Sequence, residues 1–140
     1  IADIVAQLGW PDFRKKEAEA VAAISRESHT VVATGGGVVL DSKNVEQLQR
    51  TGVVVWLTAK PDTIISRMQA DPETESMRPS LTENSLAEEI KDTLEQRQPL
   101  YAKAAHLAVE TDGVDVGQVC AQIIEKLRGA NAGQHIRPDV

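Results

Sequence analysis

The run Gly35-Gly36-Gly37 is the residue pattern best suited to contact a ligand, because it follows directly after the apolar stretch 30–33. Glycine has no side chain, so three in succession cost conformational entropy and leave the backbone N–H groups open to close approach. In open α/β sheets, ligands bind at the carboxyl ends of the strands, which is where these glycines would stand. We therefore interpret the run as a ligand-contacting loop; the alternative is a flexible turn that binds nothing.

Four arginines lie near predicted strand ends or in a polar loop, and each also has a purely structural interpretation. Arg14 and Glu17 stand three residues apart on a predicted helix. They form either a surface ion pair or an arginine that binds a ligand carboxylate while the glutamate orients it. Arg97 precedes Pro99, which we expect to end its helix, so Arg97 either caps that helix or binds a ligand. The other two are Arg67 and Arg78. Together with the glycines, the arginines predict a site for an anionic ligand.

Composition narrows the classes of partner. The 140 residues suffice for one domain with its own core. Fifteen Lys and Arg against 21 Asp and Glu give a net charge of −6, which argues against nucleic acid as a partner, since phosphate backbones attract basic surfaces. The apolar run 53–57 is too short to cross a bilayer and no signal-peptide pattern begins the chain, so we expect no membrane partner.

Cysteine and histidine usage gives no catalytic or metal-binding pattern. The sole cysteine, Cys120, cannot form an internal disulfide, so we predict a reducing, cytoplasmic compartment. No Cys or His stands at metal-ligand spacing, and we expect no metal ligand in this chain. The scattered histidines are His29, His106 and His135.

Three continuous apolar runs predict buried strands of a parallel sheet, at residues 30–33, 53–57 and 107–109. Helical patterns separate or flank these runs, at residues 12–24, 41–50, 61–68, 85–96 and 114–127. Strands that alternate with helices predict an α/β fold. Residues 70–83 are polar and contain two prolines, which predicts a loop, and residues 129–140 predict a flexible C-terminal tail.

Five short segments, read in order, resemble the shikimate kinase family. They are Phe13-Arg14-x-x-Glu17, Ala33-Thr34-Gly35-Gly36-Gly37, Val55-Trp56-Leu57, Arg78-Pro79-Ser80-Leu81 and Arg97-Gln98-Pro99-Leu100-Tyr101. Each segment is moderately specific alone, but their order and spacing fit the family across residues 1–128. The resemblance implies one domain over that range, with the three-layer P-loop fold of the nucleoside-monophosphate-kinase type and a parallel sheet.

The resemblance also implies an activity, which is transfer of the γ-phosphoryl group of ATP to the 3-hydroxyl of shikimate, with Mg²⁺. Arg14 and Arg97 would hold the shikimate carboxylate, Glu17 would support Arg14, and Gly35, Gly36 and Gly37 would line the ring with backbone. Arg78 would reach the transferring phosphates from a lid over residues 70–83. Arg67 would lie against the adenine. These roles suit phosphoryl transfer, which depends on positioning and positive charge.

Two elements of the family pattern have no counterpart in the sequence. The chain contains no Gly-x-x-x-x-Gly-Lys-Ser/Thr motif, the P-loop, and no acidic pair to contact Mg²⁺ and the acceptor hydroxyl. In the family both belong to a segment that would precede Ile1. That segment also contains a strand, which in the sheet lies between the strands formed by the runs 30–33 and 53–57. We therefore expect the main ATP and Mg²⁺ ligands to lie in that segment.

Without the intervening strand, two central strands would carry unpaired backbone groups. We accordingly expect an N-terminally incomplete shikimate kinase that is inactive as this chain alone and monomeric when complete. The alternative function is a non-catalytic binding or regulatory module derived from such a kinase.

Overall fold

The computed structural model describes residues 1–71 and 85–133. In chain order the elements are helix α1 (Ala2–Ile24), a 3₁₀ turn (Val38–Leu40), α2 (Ser42–Thr51), strand β1 (Val55–Thr58), α3 (Pro61–Ala70), α4 (Leu86–Ala104), β2 (Leu107–Glu110) and α5 (Val116–Gly133). No helix of the described part is both long and apolar enough to cross a membrane.

The sheet of the described residues consists of β1 and β2, which run parallel with Val55 opposite Leu107 and Thr58 opposite Glu110. Among the described residues, helices α3 and α4 lie between the strands in the chain and pack against each other. Val109 of β2 is almost completely buried. The alternation of strands and helices around a parallel sheet confirms the predicted α/β class.

The prediction of a strand at residues 30–33 is wrong for this structure. The segment has no regular secondary structure and pairs with no strand among the described residues. Val31 is 102% exposed and Val32 is 42% exposed, so neither lies in a core. A strand is held by hydrogen bonds to a neighbour, and no described strand flanks this segment to supply them. The apolar run alone therefore does not make a strand here.

Helix α4 contradicts the expectation that Pro99 ends its helix, because it continues five residues further, to Ala104. Its start is as predicted: Ser85 and Glu88 form a reciprocal capping box. Beyond the proline, contacts from other elements hold the last turn. Gln49 of α2 donates Nε2 hydrogen bonds to the carbonyls of Lys103 (3.2 Å) and Ala104 (3.1 Å). These hydrogen bonds between elements offset the loss of helix stability that an internal proline causes.

The two chain ends also differ from the sequence prediction. Helix α1 begins at Ala2 rather than at residue 12, and a kink divides it at Gly9, whose φ of 80° lies in the region that favours glycine. Helix α5 continues to Gly133, so residues 129–133 of the predicted tail are helical. Residues 134–140, and residues 72–83 of the predicted lid, lie outside the described ranges.

Candidate functional site

The candidate site is a cleft of about 380 Å³ between α1, the glycine run, α3 and α4. It brings together most of the residues that the sequence singled out, from segments as far apart as α1 and α4. Its lining residues are Ile1, Trp10, Phe13, Arg14, Glu17, Gly35, Gly36, Gly37, Ile64, Ile90, Thr93, Leu94 and Arg97. The walls are thus largely apolar, with two guanidinium groups and one carboxylate among them.

The kink at Gly9 presents Arg14 to the cleft on an aromatic support. Pro11 follows the kink, and the rings of Trp10 and Phe13 meet edge to face with centroids 5.7 Å apart. The Arg14 Cζ lies 5.5 Å from the Trp10 centroid and 5.0 Å from the Phe13 centroid. Both distances fall within the range of cation–π attraction, so the two rings help to hold the guanidinium.

Glu17 holds the other side of the Arg14 guanidinium. Arg14 Nη1 donates to Glu17 Oε2 over 2.5 Å, and the two side chains are 30% and 13% exposed. The i, i+3 pair predicted from the sequence is therefore formed, and it lies at the cleft rather than on an open surface. An arginine with one nitrogen bound to a glutamate keeps other N–H groups for a ligand.

Position 37 requires a residue without a side chain, because Arg14 packs directly against the backbone of Gly37. A Cβ atom built on Gly37 would lie 2.8 Å from the Arg14 Cζ, well inside van der Waals contact. Any side chain at this position would displace the guanidinium. The glycine run therefore does more than form a turn, since it lets a cation approach the main chain.

Arg97, a residue of α4, also lines the cleft. It stands seven residues before the end of that helix, so the alternative role of capping the helix terminus is wrong. Within residues 1–71 and 85–133 its guanidinium makes neither an ion pair nor a hydrogen bond. Its positive charge is therefore left for a ligand.

Hydrogen bonds hold the carbonyls of the glycine run: the N–H groups of Val38 and Leu40 donate to Gly35 and Gly37, each over 3.1 Å. Tyr101 Oη donates a 2.9 Å hydrogen bond to the Gly36 carbonyl. The amide N–H groups of Gly36 and Gly37 donate to no acceptor in the described part of the chain. The cleft thus combines two guanidinium groups with two free backbone donors, an arrangement suited to a small ligand that carries a carboxylate and hydroxyl groups.

Arg67 lies outside this cleft, at the carboxyl ends of β1 and β2. Its Nη1 donates to Thr111 Oγ1 (2.9 Å) and its Nη2 donates to the Thr111 carbonyl (2.6 Å). Thr111 Oγ1 donates in turn to the Thr58 carbonyl (2.9 Å). The end of the sheet therefore orients the guanidinium, and no sequence pattern pointed to Thr111.

Asp112 lies beside Arg67 and Thr111 at the same end of the sheet. Its carboxylate accepts from the Lys60 backbone N–H, at 3.0 Å to the nearer oxygen. A hydrogen bond from the Thr63 side chain, with further help from Lys60 and Arg67, lowers the pKa of Asp112 below its ordinary value of 3.8. The sheet end therefore carries a carboxylate that is ionised at neutral pH beside an oriented arginine.

Two aromatic residues of the site, Trp10 and Tyr101, received no role from the sequence. Trp10 stands four residues before Arg14, a spacing that places both on one helical face, and Gly9 with Pro11 is the sequence signal that could have located the kink. Tyr101 belongs to a recognised segment, yet only the fold brings it to Gly36. Arg78 lies outside the described residues. In the described ranges no three His, Cys, Asp or Glu side chains converge to hold a metal ion.

Solved structures share this fold. A shikimate kinase from Acinetobacter baumannii, in complex with shikimate, superposes with a TM-score of 0.78 and 28% identity, covering 94% of this chain and 70% of that one. A shikimate kinase from Bacteroides thetaiotaomicron superposes with a TM-score of 0.77 and 24% identity, covering 91% and 74%. Fold and cleft together define a small-molecule kinase with the P-loop fold of the nucleoside-monophosphate-kinase type.

Sequence comparison identifies the family. The shikimate kinase family model matches residues 1–128. Shikimate kinase 2 of Salmonella schwarzengrund (strain CVM19633) is 43% identical over 127 residues, which cover 91% of this chain and 68% of that protein. The chain belongs to the shikimate kinase family. The resemblance of the five motifs is thereby confirmed, and none of the comparisons supports the alternative of a non-catalytic module.

Proposed function

We propose that the protein carrying this sequence transfers the γ-phosphoryl group of ATP to the 3-hydroxyl of shikimate. The observation that carries the proposal is the meeting of Arg14 and Arg97 with the glycine run in one cleft. Shikimate carries one carboxylate and three hydroxyl groups on a small ring. Two guanidinium groups and bare backbone amides are the donors that such a molecule requires.

Arg14 and Arg97 bind the shikimate carboxylate in this proposal. Each charge-assisted hydrogen bond contributes about 1.5–3 kcal/mol, more than a neutral bond does. Arg14 is already oriented by Glu17 and by two rings, so it loses little side-chain freedom when the ligand binds. Apolar walls around the charges, including Ile90, lower the local dielectric and strengthen the attraction.

Gly35, Gly36 and Gly37 line the substrate ring with backbone and orient its hydroxyl groups. Orientation is a large part of catalysis here, because phosphoryl transfer needs the acceptor oxygen in line with the leaving group. ATP supplies the phosphoryl group and Mg²⁺ neutralises its charge. None of the described residues is proposed as a ligand of that ion.

The nucleotide would lie toward the carboxyl ends of β1 and β2. We propose that Arg67 packs against the adenine, since a guanidinium plane stacks well on aromatic rings, and its bonds to Thr111 support a fixed orientation. Arg78 would reach the transferring phosphates from a lid over residues 70–83. That lid is proposed from sequence alone.

We further propose that the protein is cytoplasmic and monomeric. The single cysteine, Cys120, suits a reducing cytoplasmic compartment. We propose a monomer, because described residues of one chain, from α1 to α4, form a cleft that holds the donors for shikimate. Sedimentation of the purified protein checks this, and a stable dimer at micromolar concentration would contradict it.

Shikimate binding to purified wild type, Arg14→Ala and Arg97→Ala tests the carboxylate site. Trp10 provides the signal, because its ring lies against Arg14 in the cleft. We expect wild type to bind one shikimate and each variant to bind about 10- to 150-fold more weakly. The matched control is Arg50→Ala, which removes an exposed arginine of α2 that is not part of the cleft. Unchanged affinity in both cleft variants would contradict the proposal.

Phosphoryl transfer is tested on the protein as its gene encodes it, with ATP, Mg²⁺ and shikimate. Phosphorus NMR of the product distinguishes the position of the new phosphate. We expect shikimate 3-phosphate. ATP consumption that leaves shikimate unmodified would contradict the proposed reaction.

A further inference from the structure

Tyr101 connects three parts of the molecule that the proposed reaction needs in fixed positions. Its hydroxyl donates to the Gly36 carbonyl over 2.9 Å. Its ring packs on Trp56 of β1, with centroids 5.8 Å apart and planes tilted by 36°. It also stands four residues after Arg97, so both side chains project from one face of α4.

The bond to Gly36 fixes the direction of the adjacent amide. A peptide unit is planar, and in its trans form the carbonyl oxygen and the following N–H point in opposite directions. Holding the Gly36 carbonyl toward Tyr101 therefore holds the Gly37 N–H on the other side. In this turn the carbonyls of Gly35 and Gly37 accept from the N–H groups of Val38 and Leu40, each over 3.1 Å, whereas the Gly36 carbonyl between them is held by the Tyr101 hydroxyl.

Trp56 supplies the rigid support for this contact. It is the second residue of β1 and stands opposite Ala108 of β2 in the sheet. The Tyr101 ring is thus set against the sheet while its hydroxyl reaches the glycine run. A tyrosine supported in this way holds the backbone of the glycine run at a fixed position relative to the sheet and to α4.

We infer that Tyr101 is a positioning residue for shikimate binding. Its hydroxyl keeps the Gly36–Gly37 peptide oriented so that the free amides of the run and the guanidinium of Arg97 bind the same ligand. The inference rests on the proposed function, because it takes shikimate as the occupant of the cleft. It adds a residue that touches no substrate and acts through the main chain of the glycine run.

The geometry at Gly36 makes the contact testable. A Cβ atom built on Gly36 would lie 2.8 Å from Tyr101 Oη, and its next nearest atom would be Tyr101 Cζ at 3.8 Å. A methyl group at residue 36 therefore collides with the hydroxyl alone. Removing that hydroxyl leaves ordinary van der Waals contact.

The first variant is Tyr101→Phe, which deletes the hydroxyl and keeps the ring on Trp56. We expect the shikimate Kd to rise about 2- to 10-fold, the range for loss of one neutral hydrogen bond. In kinetics of the encoded protein, the KM for shikimate should rise while kcat and the KM for ATP stay within about twofold. A purely structural role would instead alter all three or none.

The matched control is Thr51→Val. It also deletes a hydroxyl that donates to a carbonyl over 2.9 Å, but on α2, away from the cleft. We expect its shikimate Kd to equal that of wild type. A rise as large as that of Tyr101→Phe would overturn the inference, because it would show a general effect of hydroxyl loss.

A double-mutant cycle with Gly36→Ala completes the test. The inference predicts that Gly36→Ala weakens shikimate binding strongly in wild type and adds little in the Tyr101→Phe background. If Gly36→Ala raised the shikimate Kd by the same factor in both backgrounds, or if Tyr101→Phe bound shikimate with wild-type affinity, the inference would be overturned. The proposed function would still stand. Failure of wild type to bind shikimate would overturn the proposed function, and the inference with it.

Discussion

Gly37→Ala is a small change that the structure predicts to disable the cleft. The new Cβ would lie 2.8 Å from the Arg14 Cζ, so the guanidinium must move. Because the guanidinium is the far end of a flexible side chain, the fold itself can adjust. The displaced group would lose its ion pair with Glu17 and its contacts with Trp10 and Phe13.

The structure separates the effect of Gly37→Ala on stability from its effect on binding. The partly buried ion pair contributes about 0.2–1 kcal/mol and each of the two cation–π contacts about 0.5–1 kcal/mol, so the free energy of unfolding should fall by about 1–3 kcal/mol. The lost bond to the shikimate carboxylate contributes about 1.5–3 kcal/mol. Shikimate should therefore bind about 10- to 150-fold more weakly.

Isothermal titration with shikimate and urea denaturation measure the two quantities on the same protein. The control is Gly129→Ala in α5, where a new Cβ has no neighbour within 4 Å. It should leave affinity unchanged and stabilise the helix by up to about 1 kcal/mol. In an Arg14→Ala background, Gly37→Ala should add almost nothing. Full additivity of the two substitutions would refute the reasoning, because the effect would then not pass through Arg14.

Three further substitutions test other parts of the account. Arg78→Ala in the encoded protein should lower kcat at least about tenfold while the KM for shikimate changes far less, as expected of a group that stabilises transition-state charge; a change in kcat within twofold would return Arg78 to a surface ion pair. Thr111→Val should raise the KM for ATP about 2- to 5-fold and spare shikimate binding, because Arg67 loses its 2.9 Å bond to the threonine hydroxyl. Ser85→Ala should lower the free energy of unfolding by about 1 kcal/mol at pH 7. Since the Ser85 bonds lower the pKa of Glu88 below 4.5, this difference should be complete above that pH and shrink as the pH falls through the lowered pKa; a difference that grows in acid would contradict the assignment.

The sequence located the site better than it located the strands. Arg14, Glu17 and the glycine run were recognisable because their chemistry depends on residue type and short spacing. Residues 30–33 have the composition of a strand, but a strand exists only where a neighbour completes its hydrogen bonds, and that depends on tertiary structure.

Tertiary contacts also explain the other differences. Pro99 is a valid stop signal in isolation, yet Gln49 and the packing of Tyr101 on Trp56 hold α4 together beyond it. The link from Tyr101 to Gly36 joins positions 65 residues apart and leaves no local pattern. Arg67 was identified by its place after a strand, but its orientation by Thr111 required the fold.

The central claim is that Arg14 and Arg97 bind the carboxylate of shikimate. The most direct measurement compares, by isothermal titration with this protein, shikimate and its methyl ester, which keeps the ring and hydroxyl groups but carries no negative charge. We expect shikimate to bind at one site and the ester to bind at least about tenfold more weakly, since both charge-assisted bonds are lost. Equal affinity for the two compounds would contradict it.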